Sequence, residues 1–170
     1  MLLPLFLVSN SGLTYGPSTV SPVKDGSYFF KASGAYEGVL QGQIDFETDV
    51  KTLNDGMPVT RLEIRLGHAE EKAPHSMGFV ITKRTTTAKD LVGQYKVNST
   101  NAGFSNTLEG VFGFADLAIL GEQPFFAHRG AINMTSVGND ILKGDLKLTL
   151  RNFEGRTINV SGSFIATKNE

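Results

Sequence analysis

Along most of this chain apolar and polar residues alternate one by one, and no stretch of ten or more residues carries an apolar stripe at helical spacing. Successive side chains of a β-strand point to opposite faces, so this pattern predicts strands with one face in a core and the other in water. In Leu40-x-Gly42-x-Ile44-x-Phe46 the apolar or small residues hold the even positions, and Gln41, Gln43, Asp45 and Glu47 the odd ones. After a turn signal over Lys51–Pro58 that contains Asn54-Asp55-Gly56, Leu62, Ile64 and Leu66 alternate with Arg61, Glu63 and Arg65. Shorter strands are expected around Tyr28–Ala32, Met77–Thr82, Gly93–Asn98 and Leu108–Phe114, with polar loops at His68–His75 and Lys83–Asp90.

The last third carries three long alternating segments, Phe126–Thr135, Ile141–Arg151 and Thr157–Thr167, separated by short Gly-containing turns. They read as an antiparallel meander. Cross-strand partners share a face, so each connection should hold an odd number of residues, and Gly138-Asn139-Asp140 and Glu154-Gly155-Arg156 suit that requirement. The inward rows then become Met134–Gly144–Ala166, Ile132–Leu146–Phe164, Gly130–Leu148–Gly162 and His128–Leu150–Val160. The outward rows, such as Ala131–Lys147–Ser163 and Arg129–Thr149–Ser161, are almost wholly polar.

With 170 residues, 40% hydrophobic and 19% charged, the chain fits one globular domain, and 1–26 reads as an N-terminal tail or a first strand. Regularly spaced strands without helices define an all-β class with two architectures open, an antiparallel β-sandwich or a barrel of about eight strands, each ending in the three-stranded meander. The apolar start Leu2–Val8 is far shorter than a membrane span, and it reads as a docked strand or as part of a secretion signal. As a strand it would offer an edge for self-association or for another envelope protein.

Net charge is −1 and the basic residues are scattered along the sequence, so no footprint for a nucleic-acid backbone shows. The absence of cysteine removes disulfides, thiolate metal sites and cysteine nucleophiles. There is no Walker loop, no dinucleotide fingerprint, no His-Glu-x-x-His and no nucleophile elbow, so no cofactor is expected. His68, Glu70, Glu71 and His75 have donor chemistry that suits zinc, and Asp45, Glu47 and Asp49 would suit calcium, but solvated polar surface explains both groups more simply. Three Asn-x-Ser/Thr triplets begin at Asn98, Asn133 and Asn159, a number that chance accounts for in this composition.

The run Leu142-Lys-Gly-Asp-Leu-Lys-Leu-Thr-Leu150 with Glu154-Gly-Arg-Thr-Ile-Asn-Val-Ser-Gly-Ser-Phe164 resembles the closing hairpin of uncharacterised secreted envelope domains from Bacteroidetes-type bacteria. That resemblance implies an extracytoplasmic location and names no activity. In length and strand pattern the chain is also similar to the periplasmic lipocalin-like family that binds polyisoprenoid lipids, although that family's N-terminal signature is absent from Ser27–Phe46. The expectation is a non-catalytic binding or structural module of the cell envelope or secreted space, with a lipophilic-ligand barrel as the alternative. In that alternative Phe126, His128 and Phe164 would line the ligand cavity, with His128 as its polar fixture.

Overall fold

The computed structural model describes residues 23–52, 56–67, 75–97, 110–121, 123–138 and 140–169. The apolar segment Leu2–Val8, the turn residues Asn54 and Asp55, and His68, Glu70, Glu71 and Asn98 lie outside the described residues.

Among the described residues the strands are β1 (Ser27–Gly34), β2 (Gly38–Thr52), β3 (Pro58–Leu66), β4 (His75–Lys83), β5 (Gly93–Lys96), β6 (Gly110–Leu117), β7 (Phe125–Val137), β8 (Ile141–Arg151) and β9 (Thr157–Lys168). One continuous sheet runs β7-β6-β4-β3-β2-β1-β9-β8, and β8 pairs back onto β7, so eight strands close into a barrel. This closure decides between the two architectures: the protein is an all-β antiparallel barrel. The extra strand is β5, which pairs with Ala131–Met134 of β7, while β6 takes Phe125 and Phe126 on the same edge. One pairing is parallel: beyond the start of β1, Asp45 and Phe46 of β2 meet Thr167 and Lys168 of β9.

Among the described residues every alternating segment expected from Tyr28 onward contains a strand, because alternation of this kind can bury its apolar half only on a pleated surface. Inward residues such as Phe30, Leu40, Phe46, Ile64, Phe79 and Leu148 form one core. The loop after β4 does contain a single 3-10 turn, Ala88–Leu91, which sends Leu91 into that core.

The meander keeps the expected faces and corrects part of the expected register. Between β7 and β8, Gly130 lies opposite Leu148, Ile132 opposite Leu146 and Met134 opposite Gly144, as the alternation requires. Between β8 and β9 the partners are shifted by two residues, so that Gly144 meets Phe164, Leu146 meets Gly162, Leu148 meets Val160 and Leu150 meets Ile158. The connection is Asn152–Arg156, still odd but longer than Glu154-Gly155-Arg156. Asn152 is 6% exposed and holds the turn: its Oδ1 accepts the Arg156 amide at 2.9 Å and its own amide donates to the Arg156 carbonyl at 3.1 Å. The shift also improves packing, since the Phe164 ring occupies the space that a side chain on Gly144 would need.

The second correction concerns the start of β7. The register slips between Ala127 and Arg129, so Ala127 and not His128 faces Leu150, and His128 falls at a β-bulge. The slip lies between the residues that pair with β6 and those that pair with β5, where the neighbouring strand changes. Across it the inward phase moves from Phe125 and Ala127 to Ile132 and Met134.

Adjacent residues of β8 therefore differ sharply in what they hold together. Leu148→Ala, at a side chain 2% exposed, should cost about 2–5 kcal/mol. Lys147→Ala, on the outer face, should change stability by no more than about 0.5 kcal/mol. Urea unfolding of the two variants checks the assignment of faces.

Candidate functional site

The structure does not bring Phe126, His128 and Phe164 together. Phe164 is 2% exposed inside the barrel, opposite Tyr28 and Gly144. Phe126 is opposite Phe114 and Arg151 on the outer side, its ring 6.2 Å from that of Phe112 and 5.5 Å from that of Phe153, which is 85% exposed. His128 is half-buried at the bulge between them in sequence. A cavity large enough for a ligand would leave accessible surface on its walls, yet the inward apolar side chains from Tyr28 to Ala166 are 0–7% exposed. Among the described residues the interior is packed.

The large depression lies on the outside. A groove of about 810 Å³ crosses β1, β9, β8, β7 and β5, within the range of ligand sites. Two outward rows of the sheet build it. One runs Lys31, Ser161, Lys147, Ala131, Lys96 across the five strands. The other runs Ser33, Asn159, Thr149, Arg129. In the second row the Arg129 Nε donates to the Thr149 Oγ1 at 3.4 Å, and that hydroxyl donates to the Asn159 Oδ1 at 2.8 Å, a relay that orients three side chains on three strands.

Cations gather in this groove. Four of the chain's sixteen Lys and Arg residues line it, and among the described residues no carboxylate does. None of the four forms an ion pair among the described residues. The carboxylate in the next outward row, Asp145, accepts a hydrogen bond from the Asn133 Nδ2 at 3.1 Å. On β2 and β3, by contrast, the acidic stripe is interleaved with cations: Glu47 pairs with Arg65 at 2.9 Å and Asp49 with Lys51 at 3.4 Å. Among the described residues no three His, Asp or Glu side chains cluster as metal ligands.

A polar pair that periodicity did not suggest joins β1 to β4. The Tyr28 hydroxyl and the His75 Nε2 are 2.5 Å apart, with the rings edge to face at 6.1 Å. Gly42 makes room for the phenol, because a Cβ there would sit 3.3 Å from the Tyr28 Oη. Burial pushes the Tyr28 hydroxyl up to about 12 and holds His75 below the usual imidazole range. Both groups are neutral at pH 7, so each satisfies the other's hydrogen-bonding need. A smaller crevice of about 380 Å³, lined by His75 with Tyr36, Val39, Leu117 and Ile119, opens beside the pair.

No family model, curated protein or solved structure matches this chain. The reading of the site therefore rests on its geometry.

That geometry offers electrostatic attraction and hydrogen bonding on the outer wall, and a mutually satisfied Tyr–His pair that ties two strands. Sequence reasoning missed the groove because its cations are far apart along the chain. The available signal was the outward rows of the meander, which already set Arg129 beside Thr149 and Ala131 beside Lys147.

The Tyr28–His75 pair makes a pH prediction with a definite sign. The folded state keeps Tyr28 protonated to about pH 12, whereas an unfolded tyrosine ionises near 10, so this contribution to stability is lost as pH rises through that window. His75 acts at the other end: its stabilising effect is full above pH 6.5 and declines as pH falls below it. Thermal melts should show wild type losing stability relative to Tyr28→Phe between pH 10 and 12. Parallel curves for the two proteins would contradict the burial of the Tyr28 hydroxyl.

Proposed function

We propose that this protein is a non-catalytic binding module of the secreted space or cell envelope, and that it holds an anionic ligand in the groove across β1, β9, β8, β7 and β5. One observation carries the reading: Lys31, Lys96, Arg129 and Lys147, from four different strands, share a groove that no carboxylate lines among the described residues. Like charges drawn together without counter-charges repel one another, and an anion that joins them relieves that repulsion. The planar fork of Arg129 suits a carboxylate, sulfate or phosphate in bidentate fashion, while the three lysines act as point charges.

Binding rather than turnover fits the chemistry of the lining residues, which among the described residues include no carboxylate, histidine or tyrosine to serve as a base. The low exposure of the inward side chains among the described residues favours the outer wall over the lipophilic-ligand alternative beside Phe164. The extracytoplasmic location is supported by the resemblance of the 142–164 hairpin to secreted envelope domains.

Charge segregation is open to a direct test. Although its net charge is −1, the protein should be retained on a sulfonate matrix at pH 7.5 and low salt. Lys31→Gln and Lys147→Gln should each elute at lower salt than wild type, whereas Lys51→Gln, at a lysine already paired with Asp49, should shift elution little. Passage of the wild type without retention, or equal shifts in all three variants, would overturn the reading.

A further inference from the structure

The arrangement of cations and neutral side chains in the groove constrains the ligand further. Adjacent strands stand about 4.8 Å apart, so Lys31, Lys147 and Lys96, on alternate strands of one row, are separated by roughly 10 Å at the backbone and span about 19 Å. The positions between them carry Ser161 and Ala131, small enough to leave the floor open. The second row adds Ser33, Thr149 and Asn159, which are neutral hydrogen-bonding groups. The groove thus alternates widely spaced cations with hydroxyls and an amide.

From this alternation we infer that the ligand is an extended acidic polysaccharide, a glycan that bears carboxylates or sulfates at intervals with neutral hydroxyls between them. The inference rests on the anion-binding reading of the same groove. Sugar hydroxyls both donate and accept, as do Ser33, Thr149 and Ser161, and a chain laid along the lysine row meets a cation, a neutral stretch and a cation again. A nucleic-acid strand fits less well. It carries a phosphate about every 3.4 Å of duplex axis per strand, much denser than these lysines, and among the described residues no aromatic side chain lines the groove to stack a base. An anionic membrane surface fits less well too, because peripheral binding inserts apolar side chains from a protruding face, whereas these cations line a concavity.

Titration of the full chain with four oligomers of matched length separates the outcomes: a sulfated or uronate oligosaccharide, its neutral counterpart, polyphosphate and oligothymidylate. The acidic oligosaccharide should bind, the neutral one should not, and added salt should weaken the complex. Ser33→Ala and Ser161→Ala, both on the outer face and outside the Arg129–Thr149–Asn159 relay, should each weaken glycan binding about three- to tenfold, the range set by one lost hydrogen bond, and leave polyphosphate affinity unchanged. Lys147→Gln should weaken both. Unaltered thermal melts of these variants verify that they fold. Binding of polyphosphate or oligothymidylate in preference to the glycan would overturn this inference and leave the anion-binding groove standing. Equal glycan affinity in wild type, Ser33→Ala and Ser161→Ala would also overturn it. Binding of none of the four would remove both readings.

Discussion

Everything in this fold depends on closing the sheet, and closure depends on how sharply β7 and β9 can coil where they cross their neighbours. Gly130 on β7 has φ +114°, and Gly162 on β9 has φ +156°. A Cβ at Gly130 would run into the Lys147 carbonyl oxygen, and one at Gly162 into that of Phe29. Only glycine supplies such a backbone and such a close approach without strain. These residues let the β1–β9–β8–β7 wall curve back to seal the barrel. Once sealed, the wall gives each of the eight barrel strands a paired neighbour on both sides, and the inward side chains gather into one core.

The same closure leaves little space inside the barrel. A barrel of about eight strands is just wide enough for its own side chains to fill. Here Phe30, Phe46, Phe79 and Phe125 do so together with aliphatic residues, and glycines sit where aromatic groups need space, Gly144 under Phe164 and Gly42 beside Tyr28. Long polar side chains are confined to the outer wall. Where β5 extends that wall past the barrel, Lys96 adds its charge to those on β1, β7 and β8. The solid interior makes a rigid support, so the spacing of the cations is set by strand pairing and not by loops.

Much of this was legible in the residues. Alternation located each strand, and the pairing of Gly130 with Leu148 and of Ile132 with Leu146 followed from a three-residue connection and a shared face. The β8–β9 register did not follow. It depends on Asn152 holding a five-residue turn and on Phe164 finding Gly144, neither of which periodicity encodes, since a slip of two residues preserves every face. The bulge at His128 was hidden for a similar reason: it arises where β6 hands over to β5 on the neighbouring edge, a tertiary event. Misplacing it put Phe126 inside the barrel, whereas it belongs to an outer aromatic group with Phe112 and Phe153. The groove was invisible because Lys31, Lys96, Arg129 and Lys147 become neighbours only through barrel topology, which also brings Tyr28 to His75.

The central claim is that a packed barrel binds an anionic ligand on one concave stretch of its outer wall. Mapping backbone amide shifts of the whole protein during titration with an acidic oligosaccharide tests it most directly. The account predicts that the largest shifts fall on Lys31, Lys96, Arg129, Lys147, Thr149 and Ser161, with inward residues such as Leu66 and Phe79 unmoved. Shifts centred on those inward residues, or spread evenly over the surface, would contradict it.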